Sequence, residues 1–421
     1  MASAVSLAAT VERGVSSLYA HAQLTLDRLN GREMMEVPPF FYGAFHGIAH
    51  HTAFLVASVV FSFVAYRVCM RCIPAARLVL MERNIFGVDI NKTTAAQRAM
   101  FAMLRSRGDL LHHATFRKLV VPESLGIVAG AVYLCVAMTE MLLCRMPLHL
   151  FNGAVTTVTV MLLIGFVDDI LDLRWRHKLV LSFFGSIPLL MNYDGSLSVM
   201  VPRPLLPYFP SPMIHLGSLY LVYLLLLSVF CTNSINILAG VNGVEVGQSL
   251  VIAVASVIHN ILQLRTAEDA AHQLSAILLL CPFIAVSLAL WKFNRYPSSV
   301  FVGDSYTYFS GTVLLAASVS GVYTKTLMLF FIPQIVNFLV SLPQLFHLVS
   351  CPRHRVPTWI PERNVLTNSR NYTILNLILW VAGDMSERQL TRTMLYVQAG
   401  CCFIGFILRY WCAGWVYDVV V

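Results

Sequence analysis

A chain of 421 residues that is 57% hydrophobic and only 12% charged, with a mean hydropathy of +0.71, is excluded from the soluble globular class, where about a quarter of residues carry charge. Its apolar runs are continuous over roughly 20 residues rather than alternating, which excludes a transmembrane β-barrel and predicts an all-α polytopic membrane protein. The net charge of +8 is what the positive-inside rule produces in a membrane protein, and no nucleic-acid partner is expected.

Residues 1–45 lack a basic stretch followed by an apolar one, so no secretory signal peptide is predicted. Within them Leu7, Val11, Val15, Leu18, Ala22, Leu26 and Leu29 recur at helical spacing, which suits either an amphipathic surface helix or a plain arm. Residues 46–421 form a single transmembrane domain. About ten spans are predicted, at 47–70, 124–143, 149–167, 178–194, 215–232, 246–264, 273–291, 306–322, 326–347 and 395–417. A basic insertion at 93–121, with Arg98, Arg105, Arg107, Arg117 and Lys118, separates the first two spans. It would be a solvated loop or a contact for anionic lipid. With ten spans, the odd-numbered loops share one face, and with their borders they hold 21 of the 29 Lys and Arg residues. The positive-inside rule makes that face cytoplasmic. The cysteines are scattered, mostly in apolar segments, and Cys69-x-x-Cys72 has no second pair, so neither zinc nor a disulfide framework is implied.

Polar clusters interrupt this background, all on the predicted cytoplasmic face. Asp168 and Asp169 close the third span, just before Leu173-Arg174-Trp175-Arg176-His177-Lys178. Two adjacent carboxylates repel each other and resist leaving water, so a chain that keeps them at a membrane boundary is expected to use them. Trp175 would stack on a sugar or anchor at the interface. After the fifth span, Asn233-Ser234-Ile235-Asn236-Ile237-Leu238-Ala239-Gly240-Val241-Asn242-Gly243 offers amides together with glycines that allow close backbone approach. Asp304 opens the eighth span, where an aspartate can equally be a helix cap. After the ninth, Pro352-Arg353-His354-Arg355-Val356-Pro357 holds a cationic tripeptide between prolines, and arginine forks match phosphate oxygens. Jointly, Asp168, Asp169, Asn236 and Asp304 supply oxygen ligands suited to Mg²⁺ or Mn²⁺, and Lys178, Arg353 and Arg355 supply phosphate clamps. That is apparatus for phosphoryl transfer.

These motifs, with Gly87-Val88-Asp89-Ile90-Asn91-Lys92, Pro122-Glu123-Ser124-Leu125-Gly126 and Phe301-Val302-Gly303-Asp304, resemble the polyprenyl-phosphate N-acetylhexosamine-1-phosphate transferase superfamily. Within it they are most similar to the eukaryotic UDP-GlcNAc–dolichyl-phosphate GlcNAc-phosphotransferases, the tunicamycin targets. The resemblance runs from about residue 74 to the C-terminus. The superfamily's bacterial translocases carry a histidine-rich final loop where this chain has Arg353-His354-Arg355, which favours the eukaryotic branch. The resemblance implies a ten-helix fold with a cytosol-facing site on the endoplasmic reticulum membrane. It implies transfer of GlcNAc-1-phosphate from UDP-GlcNAc to dolichyl phosphate with release of UMP, the first step of lipid-linked oligosaccharide synthesis for N-glycosylation. Mg²⁺ would be held by Asn236 and Asp304 with the substrate pyrophosphate, and uridine would lie near Glu123, Gly240 and Asn242. Arg353, His354 and Arg355 would close over the pyrophosphate and sugar, Lys178 would hold a phosphate, and Asp168 or Asp169 would assist the nucleophile. A homodimer is the expected assembly.

Three features depart from that family. Asp172 stands where the family usually has asparagine, the long insert after the Arg-His-Arg loop is largely missing, and the 93–121 insertion is longer than expected. Two other functions fit parts of the pattern: the same chemistry on another sugar or polyprenyl phosphate, and a transporter with ionisable residues at mid-membrane. The clustering of polar residues at one face, without an inverted repeat, argues against the transporter. The sequons Asn91-Lys92-Thr93 and Asn371-Tyr372-Thr373 fall on the predicted cytoplasmic face and are expected to carry no glycan.

Overall fold

A computed structural model describes residues 51–107, 119–144, 148–193, 195–264, 267–352 and 355–417. The predicted surface helix in 1–45, the centre of the basic insertion, and Arg353 and His354 lie outside the described residues. The expected bundle is present. The helices are α1 (Thr52–Glu82), α2 (Ala95–Arg107), α3 (Gly126–Cys144), α4 (Leu148–Leu171), α5 (Trp175–Gly185) and α6 (Ile187–Met191). They continue with α7 (Ser218–Ile237), α8 (Val244–Gln263), α9 (Ala267–Asn294), α10 (Gly303–Ser320), α11 (Thr324–Phe330), α12 (Ile332–Leu345), α13 (Ile374–Ala382) and α14 (Glu387–Ile407).

Among the described residues, seven stretches are long and apolar enough to cross a membrane, and eight if the α11–α12 pair, bent by 68°, is one broken span. Two of the predicted spans depart from that pattern for physical reasons. The fourth is split into α5 and α6 ahead of Pro188, whose missing N–H prevents an unbroken helical ladder. The eighth, α10, is more polar than those seven stretches, and every residue from Ser305 to Ser320 is buried. Protein rather than lipid surrounds it, so its hydroxyls find partners inside the bundle: Thr312 Oγ1 donates to the Tyr308 carbonyl at 2.7 Å, and Tyr306 Oη to Ser287 Oγ at 2.9 Å.

Close packing around α10 depends on glycines in its neighbours. A Cβ on Gly165 of α4 would sit 2.6 Å from the Asp304 carbonyl oxygen and 2.8 Å from Ser305 Cα. Backbones at that separation tolerate no side chain. From that contact onwards the apolar core is continuous, with Phe283 of α9 and Tyr306, Phe309 and Leu314 of α10 fully buried.

Short ribbons tie the loops of the bundle. β1 (Phe86–Val88) pairs antiparallel with β2 (Val120–Pro122), with Phe86 opposite Pro122. The basic insertion is thereby closed at its base, and Glu123 is set beside Gly87, whose Cβ, if present, would lie 3.2 Å from the Glu123 carboxylate. The Phe301–Val302 stretch lies alongside: Phe301 N–H donates to the Pro122 carbonyl at 2.8 Å, and Gly126 N–H to the Val302 carbonyl at 2.9 Å. Two further ribbons are β3 (Ser198–Met200) with β4 (Met213–His215), and β5 (Thr358–Ile360) with β6 (Val365–Thr367).

Gly165→Ala is expected to push α4 from α10 and lower stability by about 1–3 kcal/mol. Thermal unfolding in detergent or nanodiscs measures this, and an unchanged melting temperature would contradict the close approach.

Candidate active site

Residues from the segments that follow α1, α4, α7, α9 and α12 meet at one end of the bundle, around the start of α10. That helix is buried from Ser305 onwards, and its first N–H groups have no partner within the helix, so the helix itself cannot satisfy them. Asp169, in the last turn of α4, does so instead: its Oδ1 accepts from Asp304 N–H at 2.5 Å and its Oδ2 from Ser305 N–H at 3.1 Å. The positive end of the helix dipole favours a carboxylate there. The geometry needs Gly303, which has φ +72 and whose Cβ, if present, would collide with the Asp169 carboxylate.

Asp168 faces another way. It is 3% exposed, its Oδ1 accepts from Leu173 N–H at 3.0 Å, and its Oδ2 pairs with Lys178 Nζ at 2.7 Å. The same ammonium reaches Asp304 Oδ2 at 2.9 Å, and Asp304 Oδ1 accepts from Asn236 Nδ2 at 2.7 Å. A continuous polar chain therefore runs Asp168–Lys178–Asp304–Asn236. Two carboxylates share one ammonium and a third, Asp169, lies beside them on the start of α10, so this end of the bundle has an excess of negative charge that a cation would offset.

Asp304 and Asn236 open into a cavity of about 1250 Å³, which is also lined by Glu123, Gly240, Asn242 and Phe301. Its wall is held by buried acids that the sequence reading did not single out as site residues. Asn242 Nδ2 donates to Asp89 Oδ2 at 2.9 Å, and Asn242 N–H to Glu387 Oε1 at 2.9 Å. Asn91 Nδ2 donates to the Gly240 carbonyl at 2.9 Å, and Gly240 N–H to Glu245 Oε1 at 3.0 Å. Lys92 pairs with Asp89 at 2.6 Å. Asn91, of the first sequon, is 5% exposed, and Asn371, of the second, accepts from Gln344 Nε2 at 3.0 Å. Asp89 and Asn91 stand inside a motif quoted above, but Glu387 had no such signal. It follows Ser386, whose hydroxyl caps α14 in a capping box with Gln389, so from sequence it reads as an ordinary first-turn acid.

The other expected site residues are placed as follows. Arg355 does not line the cavity. Its neighbours Val356 and Pro357 do, and its carbonyl accepts from Asn376 Nδ2 at 3.3 Å. Its Nη1 is buried without a hydrogen-bond partner, and burial pushes the guanidinium below its ordinary value. Such a group is suited to an incoming anion. Trp175 is 66% exposed and lies outside the cavity lining, which agrees with interfacial anchoring. Asp172, the departure from the family's asparagine, has φ +50 just past the end of α4. Asparagine and aspartate are the non-glycine residues that best accept that conformation, so the exchange is conservative.

Asn236 and Asp304 form an all-oxygen donor pair facing the cavity. Among the described residues no group of three or more His, Cys, Asp or Glu is placed to hold a metal. Zinc, which takes three or four protein ligands, does not fit that set. Mg²⁺ does, because it commonly binds through one or two protein oxygens and keeps its other positions for water and substrate phosphates.

The class comes from comparison with known proteins: the chain is a membrane-embedded glycosyl-phosphate transferase. Residues 151–322 match the model of glycosyl transferase family 4. The chain is 47% identical to the UDP-N-acetylglucosamine–dolichyl-phosphate N-acetylglucosaminephosphotransferase of Leishmania amazonensis, across 89% of this chain and 97% of that protein. It is 41% identical to the enzyme of the same name from Dictyostelium discoideum, across 85% and 89%. It is 32% identical to that of Saccharomyces cerevisiae, across 82% and 88%. The chain belongs to the family of UDP-N-acetylglucosamine–dolichyl-phosphate N-acetylglucosaminephosphotransferases.

Asp169→Asn retains one acceptor but turns amide hydrogens towards a backbone N–H, and should cost about 1–2 kcal/mol of stability by thermal unfolding. Lys178→Gln, by contrast, should leave the protein folded and reduce turnover by about 100-fold. Turnover within threefold of the unsubstituted chain would contradict the role of the Asp168–Lys178–Asp304 chain.

Proposed function

We propose that this chain transfers GlcNAc-1-phosphate from UDP-GlcNAc to dolichyl phosphate, releasing UMP, with Mg²⁺, on the cytosolic face of the endoplasmic reticulum membrane. The single observation that carries the reaction is near full-length identity to enzymes named for these two substrates. The polar chain from Asp168 to Asn236, at the mouth of a cavity large enough for a nucleotide sugar, supports it.

An oxygen of the lipid phosphate would attack the β-phosphorus of UDP-GlcNAc in line. The bond from that phosphorus to the bridging oxygen would break, and UMP would leave with the electron pair. A phosphate monoester has its second pKa near ~6 and is mostly dianionic at neutral pH, so no side chain needs to remove a proton. Asp168 therefore serves to hold Lys178, and Lys178 to meet the lipid phosphate beside Asp304. Asp169 keeps the α10 terminus, and with it the Asp304 backbone, in place. Arg355, with Arg353 and His354, would take phosphate oxygens of the donor. Asn242, Gly240 and Glu123 would bound the uridine end of the cavity. Asn236 and Asp304 would hold Mg²⁺, which when bound draws negative charge from the pyrophosphate oxygens. The homodimer is part of the same proposal.

The test is a UMP-release assay on purified protein with a panel of UDP-sugars and polyprenyl phosphates. Release should be greatest with UDP-GlcNAc and dolichyl phosphate, lost on chelation, restored by Mg²⁺ or Mn²⁺, and blocked by tunicamycin. Undiminished release in EDTA would overturn the metal assignment, and preference for another UDP-sugar would overturn the substrate.

A further inference from the structure

Helix α12 presents Gln334, Asn337, Ser341 and Gln344 on one buried face. The spacing of three, four and three residues is that of a helical stripe, normally apolar in a helix that packs on its neighbours. Here the stripe is polar, and its members bond in two directions.

Towards the bundle, Gln334 Nε2 donates to Gln248 Oε1 at 2.8 Å and to Gln398 Oε1 at 2.7 Å. Both hydrogens of one amide are thus committed, which fixes the orientation of the two acceptor amides as well. Gln398 Nε2 donates to the Phe330 carbonyl at 2.8 Å, at the open C-terminus of α11 where the α11–α12 pair bends. Gln248 Nε2 donates to the Ile235 and Leu238 carbonyls at 3.3 and 3.1 Å. Those two carbonyls bracket Asn236. All three glutamines are 0–1% exposed, and none lines the cavity.

Towards the loops, Asn337 Oδ1 accepts from Ile374 N–H at 2.9 Å, Ser341 Oγ donates to the Tyr372 carbonyl at 2.8 Å, and Gln344 Oε1 accepts from Tyr372 N–H at 3.0 Å. The same segment carries Asn376, which holds the Arg355 carbonyl at 3.3 Å. One helix therefore refers two parts of the site to each other: the loop bearing Asn236 and the loop bearing Arg355.

We propose that the Gln248–Gln334–Gln398 relay is a positioning device that sets Asn236 against Asp304, with Gln334 as its keystone. This rests on the proposed function for the meaning of Asn236, but the relay acts through geometry and not through contact with substrate. A buried amide chain is costly when one member is lost, because the remaining groups stay unpaired, whereas replacing all three glutamines by apolar groups of similar shape removes the orphaned amides and leaves only the Ile235, Leu238 and Phe330 carbonyls without donors. That asymmetry separates a structural role from a positioning one.

The experiment compares the unsubstituted full-length chain in nanodiscs with Gln334→Met and with the triple variant Gln248→Met, Gln334→Met, Gln398→Met. Three quantities are read: melting temperature, Mn²⁺ affinity by electron paramagnetic resonance in the presence of UMP, and kcat for UMP release. The expected result for Gln334→Met is a lowered melting temperature with Mn²⁺ affinity and kcat each down about tenfold. The triple variant should regain part of the melting temperature, since three backbone carbonyls still lack donors, and stay weak in both. A triple variant that binds Mn²⁺ and turns over within twofold of the unsubstituted chain would overturn the inference, as would failure of the unsubstituted chain to bind Mn²⁺. If Gln334→Met does not fold, the triple variant decides alone. An unsubstituted chain that shows the Mn²⁺ dependence but releases no UMP would remove the proposed reaction and leave the relay standing.

Discussion

The carboxylate of Asp169 satisfies the Asp304 and Ser305 N–H groups at the start of α10, and the geometry of the site follows from those bonds. Because α10 is buried from Ser305 onwards, its N-terminus needs an internal acceptor, and α4 supplies one from its own last turn. The close approach at Gly165 and the positive φ of Gly303 are the conditions under which that acceptor can reach. Once Asp169 is committed, its neighbour Asp168 must point elsewhere, and it points at Lys178. Lys178 is thereby delivered to Asp304, and Asp304 to Asn236. Two adjacent like charges, unfavourable as a pair, are divided between a helix terminus and an ammonium group.

Much of this architecture was legible in the sequence, and the illegible part has a physical pattern. Long apolar runs locate helices because lipid demands them, so most predicted spans have a matching helix. The same signal places α10, although that helix is enclosed by protein and can be polar, but it misses the break near Pro188, where one missing N–H divides a run that composition alone reads as continuous. Asp304 could be read as a cap or as a ligand. In the structure its side chain receives Lys178 and Asn236 while the capping carboxylate comes from α4, a partnership 135 residues apart in sequence that no local pattern reports.

The cavity wall shows the same limit. Gly240 and Asn242 stood out as amide and glycine among apolar spans. Glu387, which accepts from Asn242 N–H, did not, because at the start of a capped helix an acid already has a sufficient local reason to be there. The polar stripe of α12 escaped notice for a related cause: amides carry no charge, so they barely disturb the hydropathy of a membrane helix, although each one buried must find its partners. In this fold the charged residues mark the site and the neutral amides hold it in register.

The account turns on a division of labour, with Asp168 and Asp169 arranging the site and Asn236 and Asp304 facing the metal. An experimental structure of the protein with Mn²⁺ and UMP, phased to reveal anomalous scattering from manganese, tests it most directly. The account predicts an anomalous peak within ligand distance of the Asp304 carboxylate and the Asn236 side-chain oxygen, with Asp169 still bonded to the first N–H groups of α10. A peak bound by the Asp168 and Asp169 carboxylates, with that cap broken, would contradict it.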